Sequence, residues 1–169
     1  MTRPLDLPWV DVAKAIAAQL IVWHHLAFYG PMADVAWPLA PALFEALSRH
    51  ARMAVQVFLV VGGFLAARHL APQARVADAW AVAPTLLHRY ARLVLPYGVV
   101  LVLAIGASAL ARQWMTHDSI SAPFTWIQWV AHLTLMQDIL RLPALSAGVW
   151  YIAIDFQLYA LLVLVLAPV

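Results

Sequence analysis

Apolar residues run along this chain in five long stretches, separated by shorter segments that contain prolines and charged residues. The first four stretches lie at about residues 9–29, 53–70, 87–110 and 124–140, and the last begins at residue 149. A transmembrane helix needs roughly 17 to 25 mainly apolar residues. The 53–70 stretch is near the lower limit, and the weakest, 124–140, would cross obliquely or lie partly in the interface. The pattern predicts an all-α, polytopic transmembrane helix bundle with about four to five spans.

The composition places the whole chain in the membrane class. Hydrophobic residues make up 65% of the chain and charged residues 11%, and the mean hydropathy is +0.84, whereas a soluble domain has roughly 25% charged residues. We therefore expect residues 1–169 to form a single membrane-embedded domain without a separate soluble part. The net charge of +2 comes from 10 Lys and Arg residues spread along the sequence, which does not indicate nucleic-acid binding.

Several chemistries find no support in the residues present. The chain has no cysteine, which excludes disulfides, thiolate metal ligands and an acyl-cysteine intermediate. Neither G-x-S-x-G nor H-E-x-x-H occurs, so serine hydrolases and zinc proteases have no support. Adjacent histidines cannot both face one metal from a regular helix, and we expect no metal site. The first apolar stretch continues for a full span, so we expect it to be retained rather than cleaved.

The first stretch carries polar groups along one face. Lys14 and His25 are separated by three helical turns plus about 20°, so they project from the same side, about 16 Å apart along the axis. His24 is rotated about 100° from His25. Burying such groups in hydrocarbon costs on the order of 2.5 kcal/mol or more, which favours a cavity or a partner on this face. Alternatively, Lys14 reaches the interface and the histidines lie at the opposite headgroup layer.

Two later elements carry glycine and arginine pairs. Gly62 and Gly63 lie in mid-span and indicate close contact between helices or space for a ligand chain. Arg89 and Arg92 are three residues apart near a predicted helix start, so they share a face and form a twin guanidinium fork. The alternative is an ordinary positive cap on the cytoplasmic end of the third span.

A carboxylate lies in the last stretch. Tyr151, Asp155 and Tyr159 follow one another at intervals of four residues and form one polar stripe on a helix. A membrane carboxylate indicates a functional site, with a structural bond to a tyrosine or a partner lysine as the alternative.

The Lys and Arg distribution predicts a cytoplasmic N-terminus. With alternating spans, the residues on or near the cytoplasmic side are Arg3, Lys14, Arg68, Arg75, Arg89, Arg92 and Arg141. The other side receives Arg49, Arg52 and Arg112. Because cytoplasmic loops carry the excess of positive residues, the twin arginines would face the compartment that holds anionic nucleotide cofactors.

Four elements in order resemble the membrane-bound acyltransferase 3 family. Asp11, Lys14 and His25 resemble the Asp, Arg and His of its first helix, and residues 57–65 resemble its Phe-Phe-x-x-Ser-Gly-Phe-Leu element. Residues 89–97 resemble its R-x-x-R with a following Pro and Tyr, and residues 150–159 resemble its Trp-x-x-x-x-Glu-x-x-x-Tyr helix. Departures from the family pattern are Lys14 for Arg, Gly62 for Ser and Asp155 for Glu.

The resemblance covers the N-terminal half of a bundle with roughly ten spans, so we expect a truncated product, a fragment or one piece of an assembly. It implies a membrane O-acyltransferase of the cell (inner) membrane, which transfers acetyl from acetyl-coenzyme A to a hydroxyl of a cell-surface carbohydrate or related acceptor. The missing C-terminal half would be a further partner.

The resemblance also suggests roles for individual residues. His25 would take the proton of the acceptor hydroxyl, because an imidazole titrates near neutral pH. Direct attack and an acyl-imidazole intermediate both remain open. Lys14 would support the thioester end or balance a carboxylate, with Asp155 as its candidate partner. Arg89 and Arg92 would bind the phosphates of coenzyme A.

Two other classes of function remain open on the sequence alone. A proton-coupled transporter or flippase subunit would use His25, Asp155, Lys14 and His132 as a proton relay. A non-catalytic membrane scaffold would need none of these groups.

Overall fold

The computed structural model describes residues 7–70 and 82–167, and all regular structure in these ranges is helical. The α helices are α1 (Pro8–Phe28), α2 (Pro31–Ala36), α3 (Pro41–Arg49), α4 (Val55–Leu70), α5 (Val82–Trp114), α6 (Trp126–Leu133) and α7 (Val149–Leu166). Short 3₁₀ turns lie at Trp37–Leu39 and Ala51–Ala54. The all-α prediction is confirmed, whereas the predictions for Arg3 and Arg75 fall outside the described residues.

Three helical segments of the described ranges are long and apolar enough to cross a membrane. They are Pro41–Leu70, in which the second 3₁₀ turn joins α3 to α4, and the helices Val82–Trp114 and Val149–Leu166. Helix α1 has 21 residues, a length of about 31 Å, but it is not among them because polar side chains lower its hydropathy. These are Asp11, Lys14, Gln19, His24 and His25. Its crossing of the membrane stays a prediction.

The prediction that residues 124–140 form a membrane-spanning helix is wrong, whereas the alternative that this stretch lies partly in the interface stays a prediction. Instead of a helix over residues 124–140, α6 has 8 residues, about 12 Å, and the chain then runs in turns. Thr125 fixes the start through a capping box with Gln128. Bulky residues in the left-handed region, Leu135 with φ 58 and Arg141 with φ 55, keep the chain from continuing as a helix.

The third span is longer than the sequence suggested. The connection expected to end at residue 88 is helical from Val82, and the helix continues to Trp114. Pro84 causes no break because the first turn of a helix has no intrahelical partners for its N–H groups. Arg89 and Arg92 therefore lie inside α5 rather than at its first turn.

The chain divides into two units, residues 1–62 and residues 63–169. In the first unit, α1 packs against α3 and the following 3₁₀ turn. Its buried positions are Val10, Ala17, His24 and Ala27, and the first three recur every seven residues, which places them on one stripe. At the end of α1 the chain turns at Gly30, whose φ of 93 suits glycine.

In the second unit, α5 packs against α7. The buried core consists of Tyr97, Leu101, Leu135, Leu145, Val149 and Ala153. The segment that follows α6 contributes to this core, since Leu135 is 1% exposed and Leu145 is 2% exposed. The contact between α5 and α7 brings Arg89 next to the carboxylate of Asp155 on the last helix.

Candidate functional site

Lys14 forms an ion pair on its own helix. Its Nζ lies 3.0 Å from Oδ1 of Asp11, and the two side chains are 39% and 76% exposed. The sequence suggested Asp155 as a candidate partner of Lys14, and that suggestion stays a prediction; within its own helix, Lys14 pairs with a carboxylate one turn away. Exposed pairs contribute about 0–1 kcal/mol. Lys14 can therefore exchange Asp11 for another anion at little cost.

His25 lies near the C-terminal end of α1 with one ring nitrogen engaged. Its Nδ1 is 2.8 Å from the carbonyl oxygen of Ile21. Because a carbonyl can only accept, Nδ1 carries the proton and donates it, which leaves the lone pair of the neutral ring on Nε2. No side chain or backbone group in residues 7–70 and 82–167 bonds that Nε2. The half-buried ring thus presents a basic nitrogen that the helix backbone orients.

His24 occupies different surroundings from its neighbour. It is 7% exposed, and its Nδ1 is 3.2 Å from the carbonyl oxygen of Leu47 on α3. The ring stacks on Phe28 with centroids 5.4 Å apart. His24 therefore fastens α1 to α3, and the two imidazoles face different environments, as their angular separation predicts.

Arg89 on α5 forms an ion pair with Asp155 on α7. Its Nη2 donates to Oδ2 of Asp155 at 2.7 Å, and the side chains are 34% and 14% exposed. The guanidinium carbon also lies 5.0 Å from the centre of the Tyr159 ring, a distance typical of cation–π contact. Two members of the predicted stripe on α7 thus contact one arginine.

Arg92 is in a different state from Arg89. It is exposed, and within the described part of the chain it has no hydrogen-bond or ion-pair partner. The sequence predicted a fork of two equivalent guanidinium groups. The structure shows one arginine that is already paired and one that is available to an anion.

A family model described as an acyltransferase domain matches residues 7–169. The chain belongs to the acyltransferase 3 family. No curated protein and no solved structure was found to match it. Together with the three apolar helices, membership identifies the chain as an integral membrane protein of an acyltransferase family.

Several side chains that hold the helices of this acyltransferase 3 protein together could not be recognised from the sequence. Tyr90 Oη donates to the carbonyl oxygen of Leu133 at 2.7 Å, and Gln157 Nε2 donates to that of Leu135 at 2.8 Å. The first bond joins α5 to the last residue of α6, and the second joins α7 to the segment that follows α6. No spacing rule joins residues that are 43 and 22 positions apart, so the sequence held no local signal for them.

His132 is another group whose role becomes clear only in the structure. It is 0% exposed, its Nδ1 donates to the carbonyl oxygen of Gln128 at 2.7 Å, and its Nε2 accepts from the N–H of Leu145 at 3.2 Å. Both ring nitrogens are therefore engaged. His132 holds the segment after α6 in place and has no nitrogen left for a proton relay.

Three polar atoms of the described residues are buried without a hydrogen-bond partner. They are Arg89 Nε, Tyr97 Oη and Gln137 Oε1. Buried polar groups are nearly always paired in native proteins, so each of these calls for an explanation. The atom on Arg89 belongs to the candidate site, whereas the other two lie at the core of the second unit.

Gly63 bears on the choice between helix contact and ligand space. A Cβ added at this position would meet no atom of the described residues within 4 Å, and both alternatives for the glycine pair stay predictions. Among the described residues, no group of three His, Cys, Asp or Glu residues could hold a metal ion. The imidazole of His25 and the guanidinium groups of Arg89 and Arg92 are suited to proton transfer and anion binding, respectively.

Proposed function

We propose that this protein is an O-acyltransferase that moves acetyl from acetyl-coenzyme A to a hydroxyl of a cell-surface carbohydrate or a related acceptor. The observation that carries the proposal is the state of His25, whose Nδ1 bonds the backbone at 2.8 Å and whose Nε2 has no partner among the described residues. A hydroxyl is a weak nucleophile at neutral pH and needs a positioned base.

In direct transfer, the acceptor oxygen attacks the thioester carbonyl while Nε2 of His25 takes the hydroxyl proton. The carbon–sulfur bond then breaks, and the imidazolium returns the proton to the coenzyme A thiolate. In the relay form, Nε2 attacks the thioester carbonyl and the carbon–sulfur bond breaks, which leaves the acetyl group on Nε2 and coenzyme A as its thiolate. The hydroxyl then attacks the acetyl carbon, the carbon–nitrogen bond breaks, and the hydroxyl proton goes to the thiolate. Both routes use the same nitrogen, and both need Nδ1 to remain bonded to Ile21.

Lys14 and His25 cannot act on one carbonyl, because they are separated by about 16 Å along the helix. Lys14 would instead bind an anionic group of a substrate that lies along the same face, in exchange for Asp11. The weak, exposed ion pair between Lys14 and Asp11 supports such an exchange. This assigns Lys14 to binding and orientation rather than to the proton transfer.

The arginines of α5 would bind the phosphates of coenzyme A. Guanidinium groups make charge-assisted, often bidentate bonds to phosphate. Arg92, exposed and unpaired within the described residues, would make the first contact. Arg89 would add a second contact while Asp155 balances its charge.

We propose that the protein lies in the inner membrane of the cell and that its N-terminus is cytoplasmic. Arg89 and Arg92 would then face the cytoplasmic pool of acetyl-coenzyme A. Without a span over residues 124–140, Arg141 moves to the opposite side, and six Lys and Arg residues of the sequence still stand on the cytoplasmic side against four on the other, which supports this orientation. A missing C-terminal half would complete the ten-span bundle expected for the family.

The proton-relay alternative loses one of its four members. Both nitrogens of His132 are engaged, so that ring cannot pass a proton without breaking a buried hydrogen bond. The remaining groups, His25, Asp155 and Lys14, are each equally compatible with a role in acyl transfer. No observation on the described residues favours the transporter or scaffold hypotheses.

The proposal is tested by supplying acetyl-coenzyme A, labelled in its acetyl group, to membranes that express the complete reading frame. We expect label in the carbohydrate fraction that mild alkali releases, since alkali cleaves O-acetyl esters and spares amides. Membranes that express Lys14→Ala serve as a matched control and should show slower labelling. Alkali-stable label, or no label above that of membranes without the protein, would contradict the proposal.

A further inference from the structure

Arg89 is held from two directions while much of its hydrogen-bonding capacity stays unused. Asp155 contacts one terminal nitrogen, Nη2, at 2.7 Å, and Tyr159 presents its ring face to the guanidinium carbon at 5.0 Å. The group has five N–H donors. One of them, on Nε, is buried without any partner in the described residues.

The unpaired Nε is informative because of its place on the guanidinium. Nε and Nη2 lie along the same edge, which a carboxylate usually binds with both oxygens. Asp155 takes only the Nη2 half of that edge. Leaving a buried donor unpaired is unfavourable, so the arrangement does not maximise the strength of this ion pair. It fixes the direction of the guanidinium plane instead.

We infer that Tyr159 is a positioning residue that, with Asp155, sets the orientation of Arg89 for an anionic ligand. The inference rests on the proposed binding of coenzyme A phosphates by Arg89. The ring face of Tyr159 restrains the guanidinium plane through cation–π attraction, and Asp155 anchors one end of that plane. The N–H donors on Nη1 are then already oriented for a phosphate. Because the Arg89 side chain loses less rotamer freedom when the phosphate binds, the entropic cost of binding is lower.

The required property of Tyr159 is its ring rather than its hydroxyl. Tyr159→Phe keeps the aromatic face, whereas Tyr159→Leu removes it. We expect Tyr159→Leu to raise the Kd for coenzyme A roughly 2- to 13-fold, the factor that corresponds to the entropic cost of immobilising one side chain on binding. Tyr159→Phe should stay within about twofold of the wild type, because phenylalanine retains most of the attraction.

Phe156→Leu provides a matched control one turn away on α7. Phe156 packs edge-on against Tyr90, with centroids 5.6 Å apart, so its truncation removes an aromatic ring from the same helix without touching Arg89. The Kd of this variant for coenzyme A should stay near that of the wild type. A similar loss in Phe156→Leu and Tyr159→Leu would indicate a general packing effect and would overturn the inference.

A second measurement tests the positioning of Arg89 without relying on coenzyme A. Phenylglyoxal modifies arginine side chains, and mass spectrometry reports the rate at Arg89. Release of the guanidinium in Tyr159→Leu should raise that rate several-fold, while Tyr159→Phe should leave it unchanged.

The outcomes separate the inference from the proposed function. Wild-type protein that fails to bind coenzyme A, but in which Tyr159→Leu still accelerates modification of Arg89, would contradict only the proposed donor. Wild-type protein that binds coenzyme A, with Tyr159→Leu indistinguishable from wild type in both Kd and modification rate, would contradict the positioning role. An equal loss of affinity for coenzyme A in Tyr159→Phe and Tyr159→Leu would show that the hydroxyl of Tyr159 is required. That result would also contradict the positioning role of the ring.

Discussion

The two candidate regions of this protein hold their charges in different ways. On α1, Lys14 and Asp11 are neighbours on one helix, and both side chains are substantially exposed. Arg89 and Asp155 come from different helices, and the carboxylate is only 14% exposed. The first pair can open without disturbing helix packing, whereas opening the second leaves charges in apolar surroundings. The α1 region is suited to exchanging partners, and the α5–α7 region is suited to holding one charge in place.

The histidines show the same contrast. His25 has a backbone bond at Nδ1 and an Nε2 that no described residue occupies, whereas His132 uses both nitrogens within the fold. An imidazole with one nitrogen fixed and one available can accept a proton in a defined direction. An imidazole with both nitrogens engaged acts as a structural link. The bonding of each ring nitrogen therefore distinguishes the two histidines.

The largest predicted difference in stability lies between the two aspartates. Asp155→Ala leaves Arg89 without its counter-ion, and we expect a loss of about 2–3 kcal/mol in the free energy of unfolding, below the 3–5 kcal/mol of a fully buried pair because Arg89 is partly exposed. Asp11→Ala should cost about 0.5 kcal/mol or less. Thermal unfolding in detergent measures both. Equal losses would contradict the contrast between the regions.

Arg92→Ala should weaken binding of coenzyme A by about 2 kcal/mol, or roughly 30-fold, because it removes a charge-assisted contact from an exposed side chain. Its unfolding temperature should stay near that of the wild type, since no described residue pairs with Arg92. Arg89→Ala should lower both affinity and stability. Calorimetric titration with coenzyme A measures the affinity of each variant. Arg49→Ala serves as the control, because it removes another exposed arginine. Unchanged affinity in Arg92→Ala would return this residue to the role of a topology signal.

His132→Leu should destabilise the second unit by about 1–3 kcal/mol, because the N–H of Leu145 and the carbonyl oxygen of Gln128 lose a buried partner. His25→Leu should have a smaller effect on unfolding, since its one bond is to a carbonyl on its own helix. Thermal unfolding of the two variants side by side tests this order. A reversed order would mean that His25, not His132, is the structural ring.

The smallest expected effect concerns Tyr97. Its Oη is buried with no partner among the described residues, so Tyr97→Phe should leave the free energy of unfolding unchanged or raise it slightly. A bound water or a polar ligand group would give the opposite sign, because the phenylalanine would lose a real hydrogen bond. A loss above about 1 kcal/mol in chemical denaturation would show that such a partner is present.

Local geometry could be predicted from the sequence, and long-range contacts could not. The angular separation of His24 and His25, the stripe of Tyr151, Asp155 and Tyr159, and the all-α architecture follow from helical periodicity. The ion pair between Arg89 and Asp155 joins residues 66 positions apart, and no periodicity links them. Helix contacts of this kind depend on the packing of whole surfaces.

The errors in element boundaries have physical causes in particular residues. Leu135 and Arg141 adopt positive φ values without being glycine, so no residue type along the sequence indicates that the chain leaves the helix after α6. Pro84 suggested a connection, yet it lies in the first turn of α5, where proline is tolerated. The polar residues of α1 lower its hydropathy below that of the three segments that qualify as spans.

The central claim is that Nε2 of His25 is the base for acyl transfer, and His24 supplies the internal comparison. The decisive measurement is transfer from labelled acetyl-coenzyme A in membranes that express the complete reading frame with His25→Ala or His24→Ala at equal protein levels. We predict that His25→Ala lowers transfer at least about 10²-fold, as expected for loss of a general base. His24→Ala, which loses a bond to Leu47, should retain most of the activity per folded molecule. An active protein that tolerates both substitutions equally would contradict the account.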